Sequence, residues 1–255
     1  MYTQLDGVRT WYEEHGTGEP LVLLHPALAD ARAFGPTIGA LQAHFRVFTP
    51  ERRGHGHTPD APGEFSFDLV ARDTIAFLEQ VVGGQAHLVG YSDGAVVALY
   101  VAVQRPELVR RLVLVAGVFH RDGWAPGVID PDPPPPTFMA EAYAELSPDG
   151  ADHLPIVLAK LAHMHATGPS LSHDDLANVE SRTLVMVADD DEVILEHALA
   201  CYRSIRDAEL AVVPGTSHGL LVEKPSLCNA ILVDFLTSEP TPTLAPIRRA
   251  HLRHR

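Results

Sequence analysis

A serine stands between two glycines in Gly90-Tyr91-Ser92-Asp93-Gly94, where an apolar, β-rich run (His87-Leu88-Val89) meets an alanine-rich apolar stretch (Ala95 to Ala102). A serine on a sharp strand-to-helix turn is held in a strained conformation with its hydroxyl exposed above the sheet. Small neighbours are then needed so that strand and helix can approach. Gly90, Gly94 and Ala95 are those neighbours. The helix that starts here also aims free backbone N–H groups at whatever reacts with Ser92. The chemistry this predicts is nucleophilic attack on an acyl carbon.

A serine hydroxyl is a weak nucleophile at neutral pH. It needs a base within hydrogen-bond reach and a group that orients the base. On a strand-turn-helix scaffold the expected chain order is serine, acid, histidine. The acid falls in Val187-Ala188-Asp189-Asp190-Asp191-Glu192-Val193 and the base in Val213-Pro214-Gly215-Thr216-Ser217-His218-Gly219. Both segments are loops at the C-terminal ends of strands, where open α/β sheets build their sites. Among 15 histidines, His218 is singled out by following the last strand. An acid that reaches it must lie past its own strand end, which favours Asp191 over the rival Asp190, with Asp122 a remoter alternative. Donors for the developing oxyanion are expected at the backbone N–H of Asp93 and in the loop His25-Pro26-Ala27-Leu28. Pro26 has no N–H, so Ala27 is the candidate there. Each such donor is worth about 3–4 kcal/mol in the transition state.

These residues need elements to hold them. Short strand-like runs alternate with helical patterns, which predicts an α/β protein with a mostly parallel sheet. The reading places a hairpin over residues 3–15 with its turn at Asp6-Gly7, and strands at Leu21–Leu24, Phe45–Phe48, before the Ser92 turn, and at Leu112–Val115, Thr183–Val187 and Leu210–Val213. Helices are expected over Ala31–Ala43, Phe67–Val82, after Ser92, around Glu196–Ser204 and over Ser226–Leu236. Between Val118 and Ser181 the pattern changes. A run Asp130-Pro131-Asp132-Pro133-Pro134-Pro135-Pro136 is neither helix nor central strand. Helical pieces follow at Phe138–Leu146, His153–Ala166 and Asp174–Val179. The expected domains are a core of residues 1–118 and 181–238, a helical cap over 119–180, and a disordered basic tail over 239–255.

With 255 residues, 46% of them hydrophobic, the chain can bury one sizeable core. A formal net charge of −14 argues against nucleic acid and anionic membranes as partners. No apolar run approaches the roughly 20 residues of a membrane span, and the first residues lack the pattern of a signal peptide. Cys201 and Cys228 show no metal-ligand spacing and are expected as reduced, half-buried thiols of a cytoplasmic protein. His163 and His165 diverge around a helix axis, so no metal pair is expected. The chemistry outlined calls for no cofactor.

The chain resembles the α/β-hydrolase superfamily. The likeness rests on the His25-Pro26 strand-end loop, Arg53-Gly54-His55-Gly56, the Ser92 turn, the Asp191 turn and Gly215-Thr216-Ser217-His218, and it runs from Leu21 to Leu236. The resemblance implies an eight-stranded, mostly parallel sheet with a small helical cap, Ser92 as nucleophile, His218 as base, Asp191 as orienting acid, and the Ala27 and Asp93 N–H groups as oxyanion hole. Two departures stand out. His25-Pro26 replaces the family's usual His-Gly, and Glu51 replaces an aspartate; Glu51, Arg52 and Arg53 are read as structural. Dehalogenases and epoxide hydrolases of the superfamily carry aspartate at the turn and dienelactone hydrolases cysteine. Serine therefore implies acyl transfer from a small or medium ester or lactone to water. The alternatives are a cofactor-free lyase, acyltransferase or perhydrolase, or a non-catalytic ligand-binding member.

Asp93 invites two readings. Its carboxylate either attracts a substrate ammonium, as the likeness to valacyclovir-hydrolase-like enzymes suggests, or pairs locally at the helix start, the reading favoured here. Phe138, Tyr143 and Leu161 are expected to line an apolar substrate pocket under the cap.

Overall fold

Three central strands decide the architecture. Leu21–Leu24, Leu88–Val89 and Leu112–Val115 are unbroken apolar runs, as strands buried on both faces of a parallel sheet must be. The computed structural model describes residues 1–129, 135–241 and 243–247 and assembles one eight-stranded sheet. Its strands are β1 (Tyr2–Leu5), β2 (Val8–His15), β3 (Glu19–Leu24), β4 (Phe45–Pro50), β5 (Ala86–Tyr91), β6 (Val109–Val115), β7 (Arg182–Asp190) and β8 (Ala208–Ser217). They lie in the order β1-β2-β4-β3-β5-β6-β7-β8. The β1–β2 hairpin turns at Asp6-Gly7, β2 meets β4 antiparallel, and every later pairing is parallel.

Because successive side chains on a strand point to opposite faces, the sheet separates two apolar cores. Val22, Leu24, Leu88, Leu112, Leu114, Val185 and Val187 face one side. There they meet α2 (Phe67–Phe77), α3 (Asp93–Gln104) and α7 (Leu195–Ser204). Leu21, Leu23, Val89, Val113, Val115, Leu184 and Met186 face the other side, under α1 (Gly35–Leu41) and α9 (Pro225–Thr237). Cys201 and Cys228 lie one in each core, unpaired and fully buried rather than half-buried.

Helix boundaries depart from the periodicity where local chemistry intervenes. The helix expected over 31–43 begins as a 3₁₀ turn at Ala31–Phe34, capped by Asp30, and becomes α-helical only at Gly35-Pro36. Proline has no N–H to give and fits a first helical turn. The helix expected over 67–82 starts at the Ser66 cap and widens into a π turn at Leu78–Val82, stopped by left-handed Gly83. Between β6 and β7 lie α4 (Thr137–Leu146), α5 (Leu154–Thr167) and α6 (His173–Ala177), the last opened by a Ser172–Asp175 capping box. A one-turn helix α8 (Leu220–Glu223) after β8 went unanticipated. Residues 130–134 of the proline run and 242 and 248–255 of the expected tail lie outside the described residues. No helix among the described residues is long and apolar enough to cross a membrane.

Candidate active site

β5 delivers Ser92 and α3 begins one residue later. At the junction Ser92 adopts φ +55° and ψ −122°, a conformation that costs a non-glycine residue on the order of 1–3 kcal/mol. Two glycines make it feasible. A Cβ on Gly90 would sit 2.2 Å from the Gly94 carbonyl oxygen, and one on Gly94 would sit 1.9 Å from that of Leu24. The strain is held in place by the Ser92 N–H, which donates to Val115 O at 2.8 Å on β6.

The loop after β8 brings His218 over this turn. Its Nε2 lies 2.9 Å from Ser92 Oγ and its Nδ1 lies 2.7 Å from Asp191 Oδ1. The Asp191 side chain has no exposed surface. It is locked by the backbone: Ala188 N–H donates to Oδ2 at 2.8 Å and Val193 N–H to Oδ1 at 3.1 Å. Asp189 and Asp190 are exposed, and Asp189 receives the Thr216 N–H at 3.1 Å. Asp122 pairs with His120 on the surface, away from this chain of bonds. Burial pulls the His218 imidazole toward its neutral form. The bond it donates to Asp191 and the negative charges of Glu192, Asp191 and Asp93 outweigh burial and leave it above the ordinary histidine range.

Residues outside the sequence reading complete the setting. Tyr91 Oη donates to the His218 carbonyl at 2.5 Å, so the residue before the serine holds the backbone of the histidine. Trp124 stands edge-on to the His218 ring at 6.1 Å. Glu192 Oε2 lies 3.6 Å from His218 Nε2. Only Glu192 had a visible signal, being next to Asp191.

The loop opposite Ser92 is tied down from below. His25 Nδ1–H donates to the Pro26 carbonyl at 2.8 Å, and this leaves Nε2 to accept the Arg52 N–H at 3.0 Å. Arg52 Nη2 donates to the same Pro26 carbonyl at 2.8 Å. Leu28 takes a left-handed φ of +49°, the tight geometry that Pro26 is barred from. Glu51, buried, receives Ala31 N–H at 3.3 Å and His57 N–H at 2.6 Å, so it braces two loops. Arg53 forms a two-pronged pair with Asp73, both bonds 2.7 Å. As first residue of α3, Asp93 has an N–H with no helical carbonyl one turn back to receive it.

The Asp93 carboxylate is buried and engaged by a residue of the helical insertion: His165 Nε2 lies 2.9 and 3.1 Å from its two oxygens. His163, two residues earlier, faces solvent, so the two histidines do diverge. Phe138 is 65% exposed at the start of α4, whereas Tyr143 and Leu161 are buried in the apolar cluster that also holds Val157, Met164 and Trp124.

The family model for the alpha/beta hydrolase family matches residues 21–231. The chain belongs to that family. Two relatives are each 26% identical: a protein of Azorhizobium caulinodans named as the carbamate hydrolase RutD, over 88% of this chain and 94% of its own, and a non-heme haloperoxidase of Rhodococcus erythropolis, over 92% and 98%. Among solved structures, the enol-lactonase of Burkholderia xenovorans superposes with a TM-score of 0.74 at 20% identity, covering 93% of this chain and all of that one. The family match thus places the chain among alpha/beta hydrolases, whose similar proteins carry the names of a hydrolase, a haloperoxidase and a lactonase.

Proposed function

We propose that this alpha/beta hydrolase is a serine hydrolase that cleaves a small or medium carboxylic ester or lactone through an acyl-enzyme. The observation that carries the reading is the unbroken line of hydrogen bonds from Ser92 Oγ through His218 to a fully buried Asp191. Its consequences run in order. His218 Nε2 takes the Ser92 proton as Oγ attacks the carbonyl carbon. Asp191 holds the Nδ1–H tautomer and stabilises the imidazolium that forms. The Asp93 N–H and the Ala27 N–H receive the oxyanion. His218 then returns its proton to the leaving alkoxide, and the C–O bond breaks. A water molecule, deprotonated by the same imidazole, releases the acid. Water is the only co-reactant. The helices between β6 and β7 act as the lid, with Tyr143 and Leu161 in its apolar lining and Phe138 exposed at the start of α4. Two unpaired, buried thiols suit a reducing, cytoplasmic setting.

Labelling with a fluorophosphonate probe tests the reading, together with turnover of a panel of p-nitrophenyl esters and lactones. The native protein should label and turn over, and Ser92→Ala should do neither. Equal labelling of the two proteins would remove Ser92 as nucleophile. The haloperoxidase-named relative favours one further measurement, acceptance of hydrogen peroxide in place of water by the same acyl-enzyme, read as peracid formation.

A further inference from the structure

The nitrogen that faces Ser92 has a second neighbour. His218 Nε2 lies 2.9 Å from Ser92 Oγ and 3.6 Å from Glu192 Oε2. Glu192 follows Asp191 in the chain, and its backbone is pinned. Ala125 N–H donates to the Glu192 carbonyl at 2.7 Å, Val193 N–H donates to Asp191 Oδ1 at 3.1 Å, and Trp124 pairs with Val193 in an antiparallel bridge. The Glu192 carboxylate has no lysine or arginine partner among the described residues. Its side chain is 50% exposed and that of His218 19%, whereas the Asp191 side chain at Nδ1 has no exposed surface. Glu192 is thus a water-facing anion, anchored through its backbone, beside the nitrogen that exchanges protons.

Acyl transfer fixes where a leaving group must stand relative to that anion. As the C–O bond breaks, Nε2–H delivers its proton to the leaving oxygen, and such a transfer needs the two atoms within about 3 Å. The leaving oxygen then lies no more than about 6.5 Å from Glu192 Oε2, wherever the rest of the substrate goes. The imidazolium does not cancel the anion. Its positive charge faces Asp191 at 2.7 Å and the oxyanion at Ser92, so the charge of Glu192 remains in excess. A positive charge on the leaving alcohol is attracted across this distance and a negative one repelled. At about 6 Å in a half-exposed, water-like setting, either effect amounts to roughly three- to tenfold in rate.

We propose that Glu192 is a specificity-determining residue for the leaving group: it favours esters of cationic alcohols, such as amino alcohols and choline, over esters whose alcohol carries a carboxylate. The proposal rests on Ser92, His218 and Asp191 acting as the acyl-transfer triad. It concerns the alcohol half of the substrate only.

The test uses three butyrate esters that differ only in the alcohol: the choline ester, its uncharged isostere 3,3-dimethylbutyl butyrate, and the 3-hydroxypropanoate ester. Acid release is followed at a pH where His218 is neutral. In the native protein kcat/KM for the choline ester should exceed that for the isostere roughly three- to tenfold, and the 3-hydroxypropanoate ester should fall below it. Glu192→Gln should bring the choline-to-isostere ratio close to one, and Glu192→Lys should push it below one. Salt at about 1 M, which screens charges over roughly 3 Å, should flatten the native ratio. The isostere serves as internal reference, so a general disturbance of the loop divides out. A native ratio of one, or a ratio that Glu192→Gln leaves in place, overturns the proposal. Inactivation of Ser92 by a phosphorylthiocholine and by its uncharged 3,3-dimethylbutyl analogue reads the same preference without a matching acyl group. Equal inactivation rates for the two reagents in the native protein overturn the proposal as well. Failure of Ser92 to react with either reagent or with a fluorophosphonate would sink the hydrolase reading itself, whereas labelling with flat ratios sinks the leaving-group proposal alone.

Discussion

Gly94→Ala is the most direct probe of how the fold builds the serine turn. The added Cβ would stand 1.9 Å from the Leu24 carbonyl oxygen, 2.5 Å from its carbon and 2.8 Å from the His25 oxygen, all of them backbone atoms. Ordinary contact begins at 3.4 Å, so α3 and the end of β3 must separate by about 1.5 Å. Neither can yield cheaply. β3 is hydrogen-bonded on both sides, to β4 and β5, and α3 is buried along most of its length. Overpacking of this kind costs about 1–3 kcal/mol, and forcing backbone apart puts the change at the upper end. For a chain of this size about 3 kcal/mol corresponds to a fall in Tm of roughly 6–12 °C. The functional loss should be larger. The movement separates Ser92 from the His25-Pro26-Ala27 loop and from His218, and a misplacement of about 1 Å costs on the order of 100-fold in rate. Thermal denaturation followed by circular dichroism gives the first quantity, and kcat/KM on p-nitrophenyl butyrate the second. A variant with native Tm and native rate would mean that the tight approach of β3 and α3 does not define the site.

Other perturbations separate the neighbouring acids and the base. Asp191→Asn should lower kcat on the order of 10³–10⁴-fold by freeing the wrong histidine tautomer, whereas exposed Asp190→Asn should stay within about twofold; a reversal of the two would reassign the acid. On the proposed mechanism His218 must be neutral to accept the Ser92 proton, and with its pKa above the usual value log kcat/KM should rise with pH through a limb above the ordinary histidine range. Glu192 supports the imidazolium, with Asp191 and Asp93 as the other negative groups acting on it, so Glu192→Gln should move that limb to lower pH; a limb that stays put would exclude Glu192 from the electrostatics. Arg53→Ala leaves Asp73 without its two-pronged partner next to the buried turn, and a loss of about 3 kcal/mol is expected in urea denaturation.

Much of the frame was legible because its signals are local. Unbroken apolar runs mark buried parallel strands, and a serine between glycines at a strand end marks the turn whatever the rest of the chain does. Reach alone favoured Asp191 over its rival Asp190; in the structure Asp191 lies on His218 and Asp190 is exposed. What stayed hidden depends on contacts across long separations. His165 drew attention only beside His163, as a metal pair that helix geometry argues against; its partner Asp93 is 72 residues away and no spacing rule connects them. Tyr91 stands in the serine motif with no role assigned by the sequence, yet its hydroxyl donates to the His218 carbonyl, 127 positions on. The π turn at Leu78–Val82 was equally invisible, because its residues keep helical periodicity while the hydrogen bonding widens.

The order of the strands also sets a schedule for the chain as it is made. Ser92 follows the central strand β5, but the imidazole that the proposed mechanism gives it as base comes 126 residues later, directly after the edge strand β8. On that mechanism a chain that ends before β8 holds a serine with no base. The last strand in the chain is then the one that completes the candidate site.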